Sequence, residues 1–184
     1  MGNKFSYIII SVAVCLSVIG LWFYSSKKEN IGPDSFKTPD FIELESKAKE
    51  VLVQMSKEDE RLEYLSASPK FSFLYPKSFN ITRFREMGGE VVLLQSSETQ
   101  LGLQVFISDY SSSAPVTINK LKSDLPDMQM IKPELISVGG ASGVAFESEG
   151  MYEVWFAKNN KLYQITSYSH QKSLTDKIVS SWQW

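Results

Sequence analysis

Between Phe5 and Tyr24 the chain runs for twenty residues without a charge, dense in Ile, Val and Leu. At 1.5 Å per residue a helix of that length spans roughly 30 Å, the thickness of a bilayer's hydrocarbon core. The run therefore predicts a transmembrane helix over residues 5–24, behind a short tail of residues 1–4. Trp22, Phe23 and Tyr24 fall where an interfacial aromatic belt sits, and Lys27 and Lys28 come next, at headgroup level. A cleaved signal peptide shares the basic start at Lys4, but this run exceeds an ordinary h-region and no A-x-A-like site comes after it. Lipidation at Cys15 would want a small residue before the cysteine; Val14 stands there, and the apolar run continues through Leu16 to Tyr24. The reading is an uncleaved single-pass anchor whose partner is the lipid bilayer. Lys4 lies on one side of it and Lys27 and Lys28 on the other, so the positive-inside count does not favour export of the C-terminal domain.

Cys15 is the single cysteine, so the remainder of the chain can hold no internal disulfide. Hydrophobic residues at 43% and charged residues at 22% are those of a globular domain rather than a disordered one. A formal net charge of -2 argues against nucleic acid as the main partner, because phosphate binders carry a basic excess.

Residues 25–39 mix Ser, Lys, Gly and Pro without periodicity, as a flexible linker does. Pro39, Asp40 and Glu43 then make a helix start. Phe41, Leu44, Ala48, Val51, Met55, Leu62 and Leu65 recur at steps of three and four, interrupted at Glu58, and predict an amphipathic helix over residues 40–66. Its stripe would pack on its own domain or support weak self-association as a short stalk. The run Lys57 to Arg61 reads as a solvated face.

The domain proper is expected over residues 68–184. Phe71, Phe73 and Tyr75 alternate with Ser72 and Leu74 before Pro76 stops the strand. Val91 to Leu94 suits a buried strand, and Leu101 to Ser108 alternates as a half-buried one. Thr117 to Leu125 reads as a short helix with Ile118, Leu121 and Leu125 on one face. Leu135 to Val138 and Gly143 to Glu147 flank a Gly-Gly turn, while Tyr152 to Phe156 and Leu162 to Tyr168 flank Asn159-Asn160, a pair tolerant of the positive φ a tight hairpin needs. Ser173 to Ser180 looks helical, with Leu174, Ile178 and Val179 inward. Trp182 and Trp184 then share one side of a closing strand. Short turns between strands and singly inserted helices predict an α+β domain, an antiparallel sheet covered by helices.

Three segments carry a family resemblance: Phe71-Ser72-Phe73-Leu74-Tyr75-Pro76 with Phe79 after it, Val138-Gly139-Gly140-Ala141, and Ile178 to Trp184. They resemble the PsbP-like family in its opening strand, central hairpin and closing helix and strand, with Trp in place of the family's final Phe. The resemblance covers residues 68–184 and implies an α/β/α sandwich and, from bacterial members, an exported location with the C-terminal domain outside the cytoplasm. It implies no chemistry, since fold and function are separable.

Site candidates are few. His170 is the single histidine, which leaves no histidine-rich zinc site, and no G-x-S-x-G elbow accompanies it. Gly139 to Gly143 reads as a hairpin turn rather than a phosphate loop. Glu147, Glu149 and Glu153 lie close in sequence but lack a calcium-loop spacing. Of Tyr152, Trp155, Tyr163 and Tyr168, alternation sets Trp155 on the side opposite Tyr152, Val154 and Phe156, and makes it the candidate for contact with a partner. No catalytic residue, cofactor or metal ligand is expected. The function indicated is a non-catalytic, membrane-tethered binding or assembly module of the cell envelope with a protein partner. An envelope hydrolase using carboxylates and a filament subunit of pilin type are the alternatives, the second weakened by the lack of a processing site and an early Glu.

Overall fold

Alternation in Lys70–Pro76 turns Phe71 and Phe73 to one side, and a layer of aromatic rings grows from those two residues. The computed structural model describes residues 61–184 except 87, 98, 100 and 113. The segments expected as anchor and linker, and residues 40–60 of the expected helix, lie outside the described residues. The strands are β1 (Arg61–Ala67), β2 (Lys70–Pro76), β3 (Phe79–Glu86), β4 (Gly89–Ser96), β5 (Gly102–Asp109), β6 (Ile131–Val138), β7 (Ala141–Ser148), β8 (Met151–Lys158) and β9 (Lys161–Tyr168). Helix α1 spans Ile118–Asp124, and α2 spans Lys172–Ser180 after a 3-10 turn at Ser169–Gln171.

β1 and β2 form a two-stranded hairpin, and the other seven strands make one antiparallel sheet in the order β3-β4-β5-β9-β8-β7-β6. The chain leaves the middle of the sheet after β5, crosses by way of α1 to the far edge, and returns as the meander β6 to β9. Register aligns Val92, Val105, Ile165, Val154 and Ala145 across five strands, and none of the five is exposed. Burying such a row of apolar side chains is the main source of the sheet's stability.

This first face packs against Phe71 and Phe73 of the hairpin, Leu174, Ile178 and Val179 of α2, and Trp182. Trp182 stacks on Phe71 at 4.8 Å and Phe73 at 5.0 Å between centroids, and meets Phe156 and Tyr163 edge-on at 5.4 and 6.0 Å. Gln183 and Ser72 exchange both backbone hydrogen bonds at 2.9 Å, which ties the last residues to β2.

The expectation of a helix-covered sheet, an α/β/α sandwich, is corrected by this architecture, which is mostly antiparallel sheet. The two helices among the described residues have 7 and 9 residues, roughly 10 and 14 Å of length. Seven strands spaced ~4.8 Å apart span roughly 29 Å, more than either helix can cover. The hairpin and the terminal tryptophans do on the first face what a helical layer was expected to do.

The end of the helix expected over 40–66 is corrected too, because residues 61–66 belong to β1. Leu62 and Leu65 fit helical steps, yet Leu65 is 72% exposed while Ser66 is buried. Pairing of Tyr64 with Phe73 and Ser66 with Phe71 imposes the period of two. No helix among the described residues is long and apolar enough to cross a membrane; α2, the longest, is under half the ~30 Å required. The single-pass membrane expectation, with its transmembrane and signal-anchor assignments, is corrected on that finding, and residues 5–24 lie outside the described part.

Candidate functional site

Three features of the described chain carry chemistry or a surface. The first lies on the second face of the sheet. Period-two alternation that sends Val105, Ile165 and Val154 to the first face sends their neighbours to the other. Gln104, Thr166, Glu153 and Phe146 align in one row there, and Phe106, Gln164, Trp155, Val144 and Leu135 in the next. Glu153 is 5% exposed. Its Oε2 accepts from Trp155 Nε1 at 3.0 Å and from Thr166 Oγ1 at 2.9 Å. Burial pushes the Glu153 carboxyl up to about 7, and the two donors only partly oppose that shift. Gln104 and Gln164 are buried beside it, and Gln164 Nε2 has no hydrogen-bond partner among the described residues.

The second feature joins α2 to the sheet. Lys172 Nζ donates to Tyr152 Oη at 2.8 Å, to Asp176 Oδ2 at 3.0 Å and to Glu134 Oε1 at 3.4 Å. Tyr152 Oη in turn donates to Asp176 Oδ1 at 2.7 Å, and the ammonium lies 4.2 Å from the Tyr152 ring centroid. A lysine beside a tyrosine can activate the phenol as a base, but only if the phenol's pKa falls. Here burial raises Tyr152 to about 12. Burial alone would lower Lys172, and its bonds to Tyr152 and Asp176 outweigh that and hold it above its ordinary range. Both groups are locked in their resting protonation states, so the cluster clamps α2 onto β8.

The third feature is an edge. β6 ends the sheet among the described residues. Its first half is irregular: the register shifts between Ile131 and Glu134, Lys132 has φ of 48°, and Pro133 is next to it. Such a bulge with a lysine and a proline blunts pairing to another chain. Glu134–Val138 runs regularly, and Leu135 there is 68% exposed, with Ile131 at 48%.

Trp155, the expected partner contact, is 2% exposed, with its ring 5.9 Å from Phe146 and its Nε1 on Glu153. The structure makes it a positioning group for a buried acid. Glu147 faces the side of the sheet opposite Glu153, and Glu149 sits in the β7–β8 turn with φ of 50°, so the three glutamates do not converge. No group of three or more His, Cys, Asp or Glu able to hold a metal occurs among the described residues. The His170 ring lies on Tyr168 at 5.6 Å in the 3-10 turn. Gly139 and Gly140 form the β6–β7 turn, and Gly139 backs directly onto Trp184. Sequence reasoning missed Leu135 as a surface residue and the row of Gln104, Thr166 and Glu153. The latter was open to the same alternation that singled out Trp155.

No known protein family matches the chain, and no curated protein matches it. Among solved structures, one described as a GTP binding regulator from Thermotoga maritima is similar at 9% identity and a TM-score of 0.34, over 73% of this chain and 84% of that one. Likeness at that level carries no argument about this protein.

Proposed function

We propose that the chain is a non-catalytic binding or assembly module that engages a protein partner along β6. The observation that carries this reading is Leu135, a large apolar side chain 68% exposed on the regular half of the strand that ends the sheet among the described residues. An edge strand offers unpaired backbone N–H and C=O groups to an extended segment, and alternate side chains supply selectivity. The polar clusters support it from the other side. Lys172, Tyr152 and Asp176 are spent on one another, and the positions beside Glu153 on its own face, on β7, β8 and β9, carry no second carboxylate, which leaves two-carboxylate hydrolysis without its pair.

The test is a photoreactive residue at position 135 in the full-length chain, compared with one at Asn119, which is exposed on α1. Illumination in the native cell should give a discrete protein adduct from position 135 and none from 119. Equal yields at the two positions would remove the reading.

A further inference from the structure

Glu153 is a buried carboxyl on β8, beside the central strand of the seven-stranded sheet, and no cation faces it among the described residues. The groups around it on the second face are Phe146 from β7, Thr166 and Gln164 from β9, Gln104 from β5 and Trp155 from β8, all neutral. On α1, which packs against β6, Lys120 is held by Asp124 at 2.7 Å and Lys122 is exposed. A carboxylate left in such surroundings would be a buried charge without a counter-charge, among the costliest things a fold can hold.

We propose that Glu153 is a proton-operated catch on the second face of the sheet, closed when its carboxyl is protonated and strained when the proton leaves. Both acceptor directions of Oε2 are taken, by Trp155 Nε1–H and Thr166 Oγ1–H, so the proton rides on Oε1. In that state the row from Thr166 through Glu153 to Trp155 is uncharged and hydrogen-bonded. Loss of the proton to solvent keeps both bonds but leaves one negative charge inside a layer of Phe, Val, Trp and amide side chains. The strain is relieved by opening that face to water. Trp155 continues through Val144 to Leu135 on the outer strand, so the row next to Glu153, joined to it by the Trp155 hydrogen bond, reaches the exposed edge. The direction is set by burial: the folded chain holds this proton to about pH 7, and the unfolded chain releases it near the ordinary 4.5. The protein is thus tighter in mildly acidic than in neutral surroundings, by a factor on the order of a few hundred in the folding equilibrium across that span.

Carboxyl carbon NMR of the full-length protein, labelled at glutamate, tests this directly, with Glu153→Gln to assign the resonance. One glutamate carboxyl should titrate near neutral pH and vanish in the variant. Urea midpoints should fall from pH 5 to pH 8 in the native protein and stay level in Glu153→Gln. If that variant does not fold, Trp155→Phe serves instead: loss of one donor to the carboxylate should move the near-neutral titration upward. Glutamates that all titrate near 4.5, a midpoint unmoved by Trp155→Phe, or equal pH profiles for native protein and Glu153→Gln would each overturn the proposal.

Discussion

Gly139 shows how much one residue's lack of a side chain can decide. Its φ is +54°, and an added Cβ would come within 2.5 Å of Trp184 Nε1. Gly140 beside it has φ of +81° but open space around it. Gly140→Ala should therefore carry the backbone cost alone, about 1 kcal/mol. Gly139→Ala adds the displacement of Trp184 and should cost about 2 to 4 kcal/mol, as judged by urea unfolding of both variants. At Glu153 two pKa values set the sign of the pH effect. The folded value, about 7, lies above the unfolded 4.5. Between those values the folded state holds a proton that the unfolded state has lost. Its contribution is complete below about pH 4.5, declines as pH rises and is gone above about 7, for a change of roughly 3 kcal/mol. Unfolding free energies measured at half-unit steps of pH should trace that slope, and a curve rising over the same interval would contradict it.

Among the elements, the most legible were those marked by local chemistry. Asn159 and Asn160 adopt φ of 51° and 58° in the β8–β9 turn, as a pair of asparagines between two apolar runs indicates. α2 buries Leu174, Ile178 and Val179, and α1 is capped by Thr117, whose side chain accepts from Lys120 N. Two strands were not legible. β3 has exposed Asn80, Thr82, Arg83 and Arg85, because an edge strand need not be apolar, and polar composition hid it. β1 was read as helix, because Leu62 and Leu65 match helical spacing, while the residues that impose its strand period, Phe71 and Phe73, lie outside the segment on β2, across the turn at Ser68-Pro69. The layer on the first face was misread for a related reason: Trp182 and Phe71 stack from opposite ends of the described chain. Trp182→Ala should destabilise the protein by about 3 to 5 kcal/mol, the scale for a buried aromatic, visible as a large drop in Tm. Lys172→Met should cost no more than about 1 kcal/mol, since the lysine side chain is 40% exposed and solvent screens its ion pairs. A larger loss in that melt would show the α2 clamp to be more than a surface pair.

At the scale of the whole molecule, the edge and the interior make separable demands. Leu135 is exposed, so Leu135→Lys should leave Tm within about 2 °C of the native value. It should also abolish a partner adduct captured from a neighbouring position on β6. Loss of the adduct together with a collapsed Tm would place Leu135 in the fold rather than at a contact. The interior behaves in the opposite manner. Phe71, Phe73, Phe156, Tyr163 and Trp182 touch one another as rings, stacked or edge-on, from four separate stretches of chain. Residues that share contacts in this way do not have additive effects on stability. Through descent, the consequence is inheritance as a block. A change of ring size at one position is tolerated only alongside a matching change at another, so lineages carrying this fold should differ at these five sites in correlated sets and vary freely at the exposed Asn80, Thr82 and Arg85 of β3.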